Sequence, residues 1–130
     1  MNLIEPILSD AAAITAIRRD IHAHPELCFQ EARTADVVAK AVTDWGIPIH
    51  CGLGKTGVVA IIKNGSSARA VGLRADMNAL PKTEHNICAH ASQHKGKRPA
   101  CGHDGHTVIL LAAASQLQDA GPLPQLRWTC

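Results

Sequence analysis

The order of its hydrophobic patterns is what most constrains the fold of this chain. A first helix is predicted because isoleucine recurs at helical spacing, at Ile14, Ile17 and Ile21. Ser9 and Asp10 are candidates for its N-cap, and Pro25 ends it. A second helix is predicted over residues 31–46, where Gly46 is the stop signal.

Strand-like patterns follow these helices, over residues 47–53, 56–65 and 68–76. Turn residues 64–67 lie between the second and third patterns, so we expect those two to form a hairpin. A third helix is predicted over residues 106–121, before a segment at 123–130 that begins like a strand. This order predicts an α/β/α sandwich with a mixed sheet. With one Phe, two Trp and no Tyr, the core must consist mainly of Ala, Val, Ile and Leu.

The bulk composition excludes several classes of function. A net charge of +2 without a basic run, together with few aromatic residues, argues against nucleic-acid binding. The longest apolar run near the C-terminus, residues 108–114, is too short to span a bilayer. The N-terminus does not resemble a signal peptide, and none of the five cysteines has CxxC spacing. We therefore expect a cytoplasmic protein with free thiols and no membrane partner.

The string CGHDGH concentrates groups that bind transition metals. Cys101 and His103 are two residues apart, a spacing that puts both side chains on one side of an extended segment. A thiolate and an imidazole suit zinc, cobalt, nickel or manganese to differing degrees. Asp104 or Thr107 could cap the third helix, and His106 could face the same cleft. A buried cysteine beside solvated histidines is an equally good interpretation, and a redox thiol is a weaker one because no resolving cysteine lies nearby.

Asp76 is a further candidate, because it ends the third strand pattern at the edge where open α/β sheets place ligands. Arg74, two positions earlier, lies on the same side and could orient the carboxylate. A surface aspartate that ends a strand is an equally good interpretation. His22 and His24 are better explained as a helix C-terminus, where the dipole favours positive charge. The aperiodic stretch over residues 77–101 is long enough to indicate a functional loop.

Together these segments make the chain resemble the zinc-type metallo-amidohydrolases, in the branch of hippurate hydrolase, N-acyl-amino-acid amidohydrolase and the plant auxin-conjugate hydrolases. Four segments carry the resemblance, in the family's order and spacing: AIRRDIHAHPELCFQEARTADVVAKAV, GLGKTGVVAII, AVGLRADMNALPKTEHN and ACGHDGHTVILLAAA. The most specific part is CGHDGH, about 25 residues after RADM. The resemblance runs over residues 16–126 and implies a zinc-peptidase-like catalytic domain.

The resemblance also implies a dinuclear centre with two divalent metals, of which Cys101 and His103 would be the first two ligands. Four further side chains would surround those ligands: Arg74, Asp76, Asp104 and His106. The implied reaction is hydrolysis of the amide bond in small, hippurate-like N-acyl amino acids, with a glutamate as general base. The complete enzyme could form homo-oligomers.

This chain departs from the family pattern in ways that qualify the expected activity. The family's FQPAEE-like segment, which carries the general-base glutamate, has no counterpart within residues 1–130, nor have the later histidine ligands and the smaller dimerisation or lid domain. We therefore expect residues 1–130 to be a partial catalytic domain without a catalytic residue of its own. Asn78 replaces an aspartate of the family, and Arg98–Pro99 replaces Met-His. The alternative is an inactive remnant that acts at most as a binding or interaction module.

Overall fold

Three helices and a two-stranded sheet make up the part of the chain that the computed structural model describes, residues 4–120. They follow one another as α1 (Ile4–Ala23), α2 (Ala32–Asp44), β1 (Ile49–Leu53), β2 (Gly57–Ala60) and α3 (His103–Asp119). The predicted α/β class is confirmed. The strand-like segment at 123–130 lies outside the described residues. No helix among residues 4–120 has the length and apolar character needed to cross a membrane.

Helix α1 begins earlier than its predicted cap and ends where it was expected to end. Ser9 and Asp10 lie inside the helix, so the predicted N-cap is wrong. Pro6 permits the early start, because a proline in the first turn of a helix gives up no hydrogen bond. The hydroxyl of Ser9 donates to the carbonyl of Pro6 at 2.7 Å instead of accepting from a free N–H group. The helix ends two residues before Pro25, as predicted.

The core lies where the three helices and the start of β1 meet. Gly46 has a φ of 74° and reverses the chain after α2, as its prediction as a stop signal requires. The reversal brings Ile47 against Val42 and Leu111. Ile47 is 2% exposed, Val42 is 3% exposed and Leu111 is 4% exposed. Ile17 of α1 packs against the same cluster. The described core is therefore built largely from aliphatic side chains, as the shortage of aromatic residues predicted.

The observed hairpin joins the first and second strand patterns. β1 and β2 pair antiparallel, with Leu53 opposite Gly57 across the turn. A Cβ atom on residue 57 would collide with the carbonyl oxygen of Leu53, so this close approach requires glycine. The predicted hairpin across residues 64–67 is therefore wrong. The turn at residues 54–56 already pairs the second pattern with the first.

The third strand pattern is not a strand in the described residues. A strand needs a hydrogen-bonded neighbour, and the described sheet contains β1 and β2 alone. Val71 and Leu73, which a sheet face would cover, are 80% and 62% exposed. Parallel pairing occurs within residues 4–120 as an isolated bridge between Leu27 and Ala79.

The aperiodic stretch is a loop that is fastened close to α1. Leu80 and Arg98 exchange two backbone hydrogen bonds, of 2.9 and 3.0 Å, which close the loop at its base. The backbone N–H of Gln93 donates to the carbonyl of Ala23, the last residue of α1, at 2.8 Å. The loop thus lies against the end of α1 and leads directly into α3.

Candidate metal centre

The junction before α3 changes the predicted geometry of Cys101 and His103. Gly102 is the N-cap residue of α3, with a φ of 78°, and no side chain caps the helix. The predicted capping by Asp104 or Thr107 is therefore wrong. The positive φ also breaks the extended path that would have put the thiol and the imidazole on one side, because left-handed backbone turns the chain and favours glycine.

His103 is the more firmly held member of the predicted metal pair. Its side chain is 17% exposed, and its Nδ1 lies 2.7 Å from the carbonyl oxygen of Asn78. A carbonyl oxygen can only accept, so Nδ1 carries a proton, and in the neutral ring Nε2 carries the lone pair. An imidazole that binds a metal through Nε2 requires this tautomer.

The carboxylate of Asp76 faces the free nitrogen of His103. Its Oδ2 lies 4.0 Å from Nε2, somewhat farther than the roughly 3.4 Å that separates two tetrahedral ligands each about 2.1 Å from one metal. Its Oδ1 accepts from Arg74 Nη2 at 2.7 Å. The backbone carbonyl of Asp76 accepts from the hydroxyl of Thr107 at 2.9 Å, which ties this residue to α3. The structure therefore brings Arg74, Asp76 and His103 together.

The other predicted site residues are placed differently. Cys101 is exposed, and four described cysteines are free thiols: Cys28, Cys51, Cys88 and Cys101. His106 is exposed, and its ring centroid lies 5.9 Å from that of His103. Asp104 is 1% exposed and bonds to α1. The Asp104 carboxylate therefore ties the first turn of α3 to α1, and the carboxylate that lies beside His103 is that of Asp76.

Asp104 belongs to a polar network that the sequence pattern did not predict. Its Oδ2 accepts from Arg18 Nε at 3.1 Å and lies 3.0 Å from His22 Nδ1. On the other edge of the ring, His22 Nε2 lies 3.2 Å from Glu84 Oε2. We call these four residues (Arg18, His22, Glu84 and Asp104) the His22 network. The partners of His22 are 82 and 62 residues away along the chain, so no local spacing could reveal them.

Hydrogen bonds keep both carboxylates of the His22 network ionised. Burial by itself raises the pKa of Glu84, but its hydrogen bonds, above all that from the backbone N–H of Ser92, hold the pKa below the ordinary value of 4.5. Burial likewise raises the pKa of Asp104, and the bonds from His22 and Arg18 outweigh it and hold the pKa below 3.8. At neutral pH the network therefore contains two buried negative charges.

The described residues fit a metal as part of a site. Nε2 of His103 is available, Asp76 offers a carboxylate oxygen, and Cys101 offers a free thiol, all donors that divalent transition metals accept. Between residues 4 and 120, no three side chains of His, Cys, Asp or Glu converge closely enough to hold an ion. These donors would therefore need further ligands to complete a metal centre.

The segment that carries this geometry matches a known family. Residues 72–126 match the model of Peptidase family M20/M25/M40. The chain is similar to that family over this segment. The resemblance to metallo-amidohydrolases is thus confirmed, and so is the assignment to a zinc-peptidase-like catalytic domain within the α/β class.

Curated relatives extend the similarity to most of the chain. The hippurate hydrolase of Campylobacter jejuni is 45% identical over 117 residues, which are 90% of this chain and 30% of that protein. The N-acyl-L-amino acid amidohydrolase of Geobacillus stearothermophilus is 43% identical over 123 residues, 90% of this chain and 32% of that protein. This chain therefore spans about a third of the length of these curated relatives.

A solved structure agrees with the sequence relatives. The YXEP protein of Bacillus subtilis, described as a dinuclear metal binding peptidase of the M20 family, superposes with a TM-score of 0.83 at 35% identity. The superposition covers 86% of this chain and 32% of that chain. The described residues therefore have the backbone of an M20 catalytic domain over the part that they cover.

Proposed function

We propose that this chain is the metal-bearing part of a hydrolase that cleaves the amide bond of N-acyl amino acids. The observation that carries the proposal is the fixed Nε2-accepting tautomer of His103 beside the Asp76 carboxylate, two residues after a free thiol at Cys101. The hippurate-like substrate class is supported by the names of the two relatives at 43–45% identity.

Cys101 and His103 would hold the first of two divalent metals. When bound, such a metal supplies Lewis acidity toward the carbonyl oxygen of an amide substrate. The backbone carbonyl of Asn78 orients the imidazole by accepting from Nδ1. Arg74 holds one oxygen of Asp76 and leaves the other directed at His103. The metal would be zinc, manganese, cobalt or nickel, since this donor set accepts each of them.

The general base would come from outside the described residues. The carboxylates nearest to His103 in the described chain are already committed, since Asp76 pairs with Arg74 and Asp104 pairs with Arg18 and His22. Burial raises the pKa of Asp104, but the bonds from His22 and Arg18 hold that pKa below 3.8, so Asp104 is a poor proton acceptor at neutral pH. The proposed chemistry thus divides into a metal-holding part on this chain and a base supplied by the remainder of a complete enzyme.

Cobalt binding tests the proposed metal site. We expect Co²⁺ to give thiolate charge-transfer absorption with this chain, and Cys101→Ser to abolish it. Cys88→Ser is the matched control, because Cys88 is also an exposed free thiol of the same loop. Absorption that survives Cys101→Ser, or that is lost equally in the control, would contradict the proposal.

Hydrolysis separates the enzyme from the second candidate, a non-catalytic binding module. That candidate is favoured by the lack of three converging metal ligands among residues 4–120. Release of glycine from hippurate with added Mn²⁺ or Zn²⁺, dependent on Cys101, would support an enzyme. A chain that binds neither Co²⁺ nor Mn²⁺ through Cys101 would support the binding module, because that candidate rests on the lack of converging ligands among residues 4–120.

The cellular setting is part of the same proposal. We place the protein in the cytoplasm, where exposed free thiols such as Cys28, Cys51, Cys88 and Cys101 persist in reduced form. The proposed partner is a small N-acyl amino acid, with neither nucleic acid nor membrane involved. Self-association of the complete enzyme can be measured by sedimentation.

A further inference from the structure

The His22 network is a polar cluster, buried except at Arg18, that the proposed metal site leaves unexplained. It connects three parts of the chain: α1 through Arg18 and His22, the loop at 81–100 through Glu84, and the first turn of α3 through Asp104. The side chains of His22, Glu84 and Asp104 are 12%, 5% and 1% exposed. A polar cluster this deep stabilises the fold only while every member keeps its partners.

The ring of His22 is the central link of the network. Both nitrogens lie within hydrogen-bonding distance of carboxylates, at 3.0 Å from Asp104 and 3.2 Å from Glu84. A carboxylate without a proton can only accept, so the imidazolium form satisfies both contacts and a neutral ring satisfies one. No other natural side chain places two N–H donors on opposite edges of a small planar ring. Substitution at this position therefore removes the side-chain link between Glu84 of the loop and Asp104 of α3.

The network acts on the residue next to the metal ligand. Asp104 and His103 are consecutive in the first turn of α3, and their side chains point about 100° apart around the helix. Asp104 faces α1, while His103 faces the carbonyl of Asn78. No side chain caps this helix, so these two lateral contacts orient its first turn. Loosening one contact changes the geometry of the other.

We propose that His22 is a positioning residue that aims His103 through Asp104. The inference rests on the proposed function, in which His103 must point its Nε2 at a metal. It predicts that a change at His22 alters His103, although the two rings make no direct hydrogen bond in the described residues.

The decisive experiment reads the tautomer of His103 in the metal-free chain by ¹⁵N NMR at neutral pH. In the unchanged protein we expect a proton on Nδ1 and a lone pair on Nε2. In His22→Gln, whose amide can donate from only one end, we expect a mixture of the two tautomers. A merely structural loss of stability would not change the tautomer of the molecules that remain folded.

His24→Gln is the matched control. His24 lies at the same end of α1, and its Nδ1 bonds to the backbone carbonyl of Asp20 within one turn of its own helix. Its ring lies 6.1 Å from that of His94, so it also contacts the loop. This variant removes a histidine between α1 and the loop without touching α3. We expect it to leave the tautomer of His103 unchanged.

Co²⁺ affinity supplies a second measurement. We expect His22→Gln to weaken binding by about 10- to 100-fold, the usual cost of losing a residue that supports a metal ligand. We expect His24→Gln to change it less than about twofold. An unchanged tautomer in His22→Gln, or an equal change in both variants, would overturn the inference.

A substitute variant and the metal-free measurement keep failure of this inference distinct from failure of the proposed function. If His22→Gln does not fold by circular dichroism, Glu84→Gln takes its place, since it changes the far end of the network without contacting α3. An unchanged tautomer in a folded Glu84→Gln would then overturn the inference. The NMR measurement needs no metal, so it stands even if Co²⁺ does not bind. In that case the proposed function fails, while a shifted tautomer still supports the link between His22 and His103.

Discussion

Buried charges need hydrogen-bond partners, and apolar side chains need a surface that covers them. The His22 network has its partners, whereas the segment at residues 68–76 lacks its cover in the described chain. Asp104 and Glu84 are buried charges, and each has at least two hydrogen-bond partners in the described chain. Val71 and Leu73 are apolar side chains of a predicted strand, and both are largely exposed. The polar region is complete within residues 4–120, whereas the apolar segment has no covering surface there. The described residues therefore satisfy the buried charges of the network but leave this apolar segment uncovered.

Identical leucine truncations should show the largest difference between a packed and an unpacked region. We expect Leu111→Ala to lower the free energy of unfolding by about 3 kcal/mol, because Leu111 is 4% exposed in the core. We expect Leu73→Ala to change it by less than about 0.5 kcal/mol, because this side chain is 62% exposed. Urea denaturation measures both. Similar costs would mean that residues 68–76 are packed in solution.

Identical aspartate truncations test the polar side of the comparison. Asp104→Ala leaves His22 and Arg18 without their shared acceptor, and we expect a loss of about 2 kcal/mol in the free energy of unfolding. Asp44→Ala removes an exposed pair with Lys40 on α2, and we expect a loss below about 0.5 kcal/mol. Equal losses in urea denaturation would show that the His22 network contributes no more than a surface ion pair.

Acid should weaken the network through Glu84. Its pKa is lowered in the folded protein, so it contributes stability that is fully present above the ordinary value of 4.5 and is lost as the pH falls through the folded pKa. The groups that face it are His22 of α1, with Asn86, Arg98 and the backbone N–H of Ser92 in the loop. We expect Glu84→Gln to flatten the fall in melting temperature below about pH 4.5. A parallel fall in both proteins would contradict this assignment.

The smallest effect on stability, and the sharpest on association, is expected from Val71→Thr combined with Leu73→Thr. Both side chains are exposed, and alternating apolar residues without a strand partner favour self-association. We expect less aggregation in size-exclusion chromatography and little change in melting temperature. Val59→Thr, on β2 and 41% exposed, is the control because its strand is already paired. A monomer already in the unchanged chain would contradict the expectation.

Local chemistry made much of the fold predictable. Pro25 and Gly46 end helices because one restricts the residue before it and the other permits positive φ. The segment of CGHDGH and RADM identified the family without any coordinates. Arg74 and Asp76 were expected to meet because alternate residues of extended backbone share a side.

The errors arose where another feature of the chain, local or distant, decided between alternatives that the pattern left open. Residues 64–67 contain good turn chemistry, yet β2 pairs with β1 across the turn at residues 54–56. Ser9 is a good N-cap, yet α1 extends past it because its first turn accepts Pro6. His22 looked like a helix end, because Glu84 and Asp104 are far away in sequence.

The sequence by itself determined the class of the fold, the family and the residues that could bind a metal, since these depend on residue types and short spacings. Tertiary structure alone decided which nitrogen of His103 stays free and which carboxylate faces it. It also decided that Asp104 binds Arg18 and His22 of α1 and does not face the proposed metal site. The physical reason is that a hydrogen bond depends on distance and direction between groups, and the groups that matter here lie between 25 and 86 residues apart along the chain.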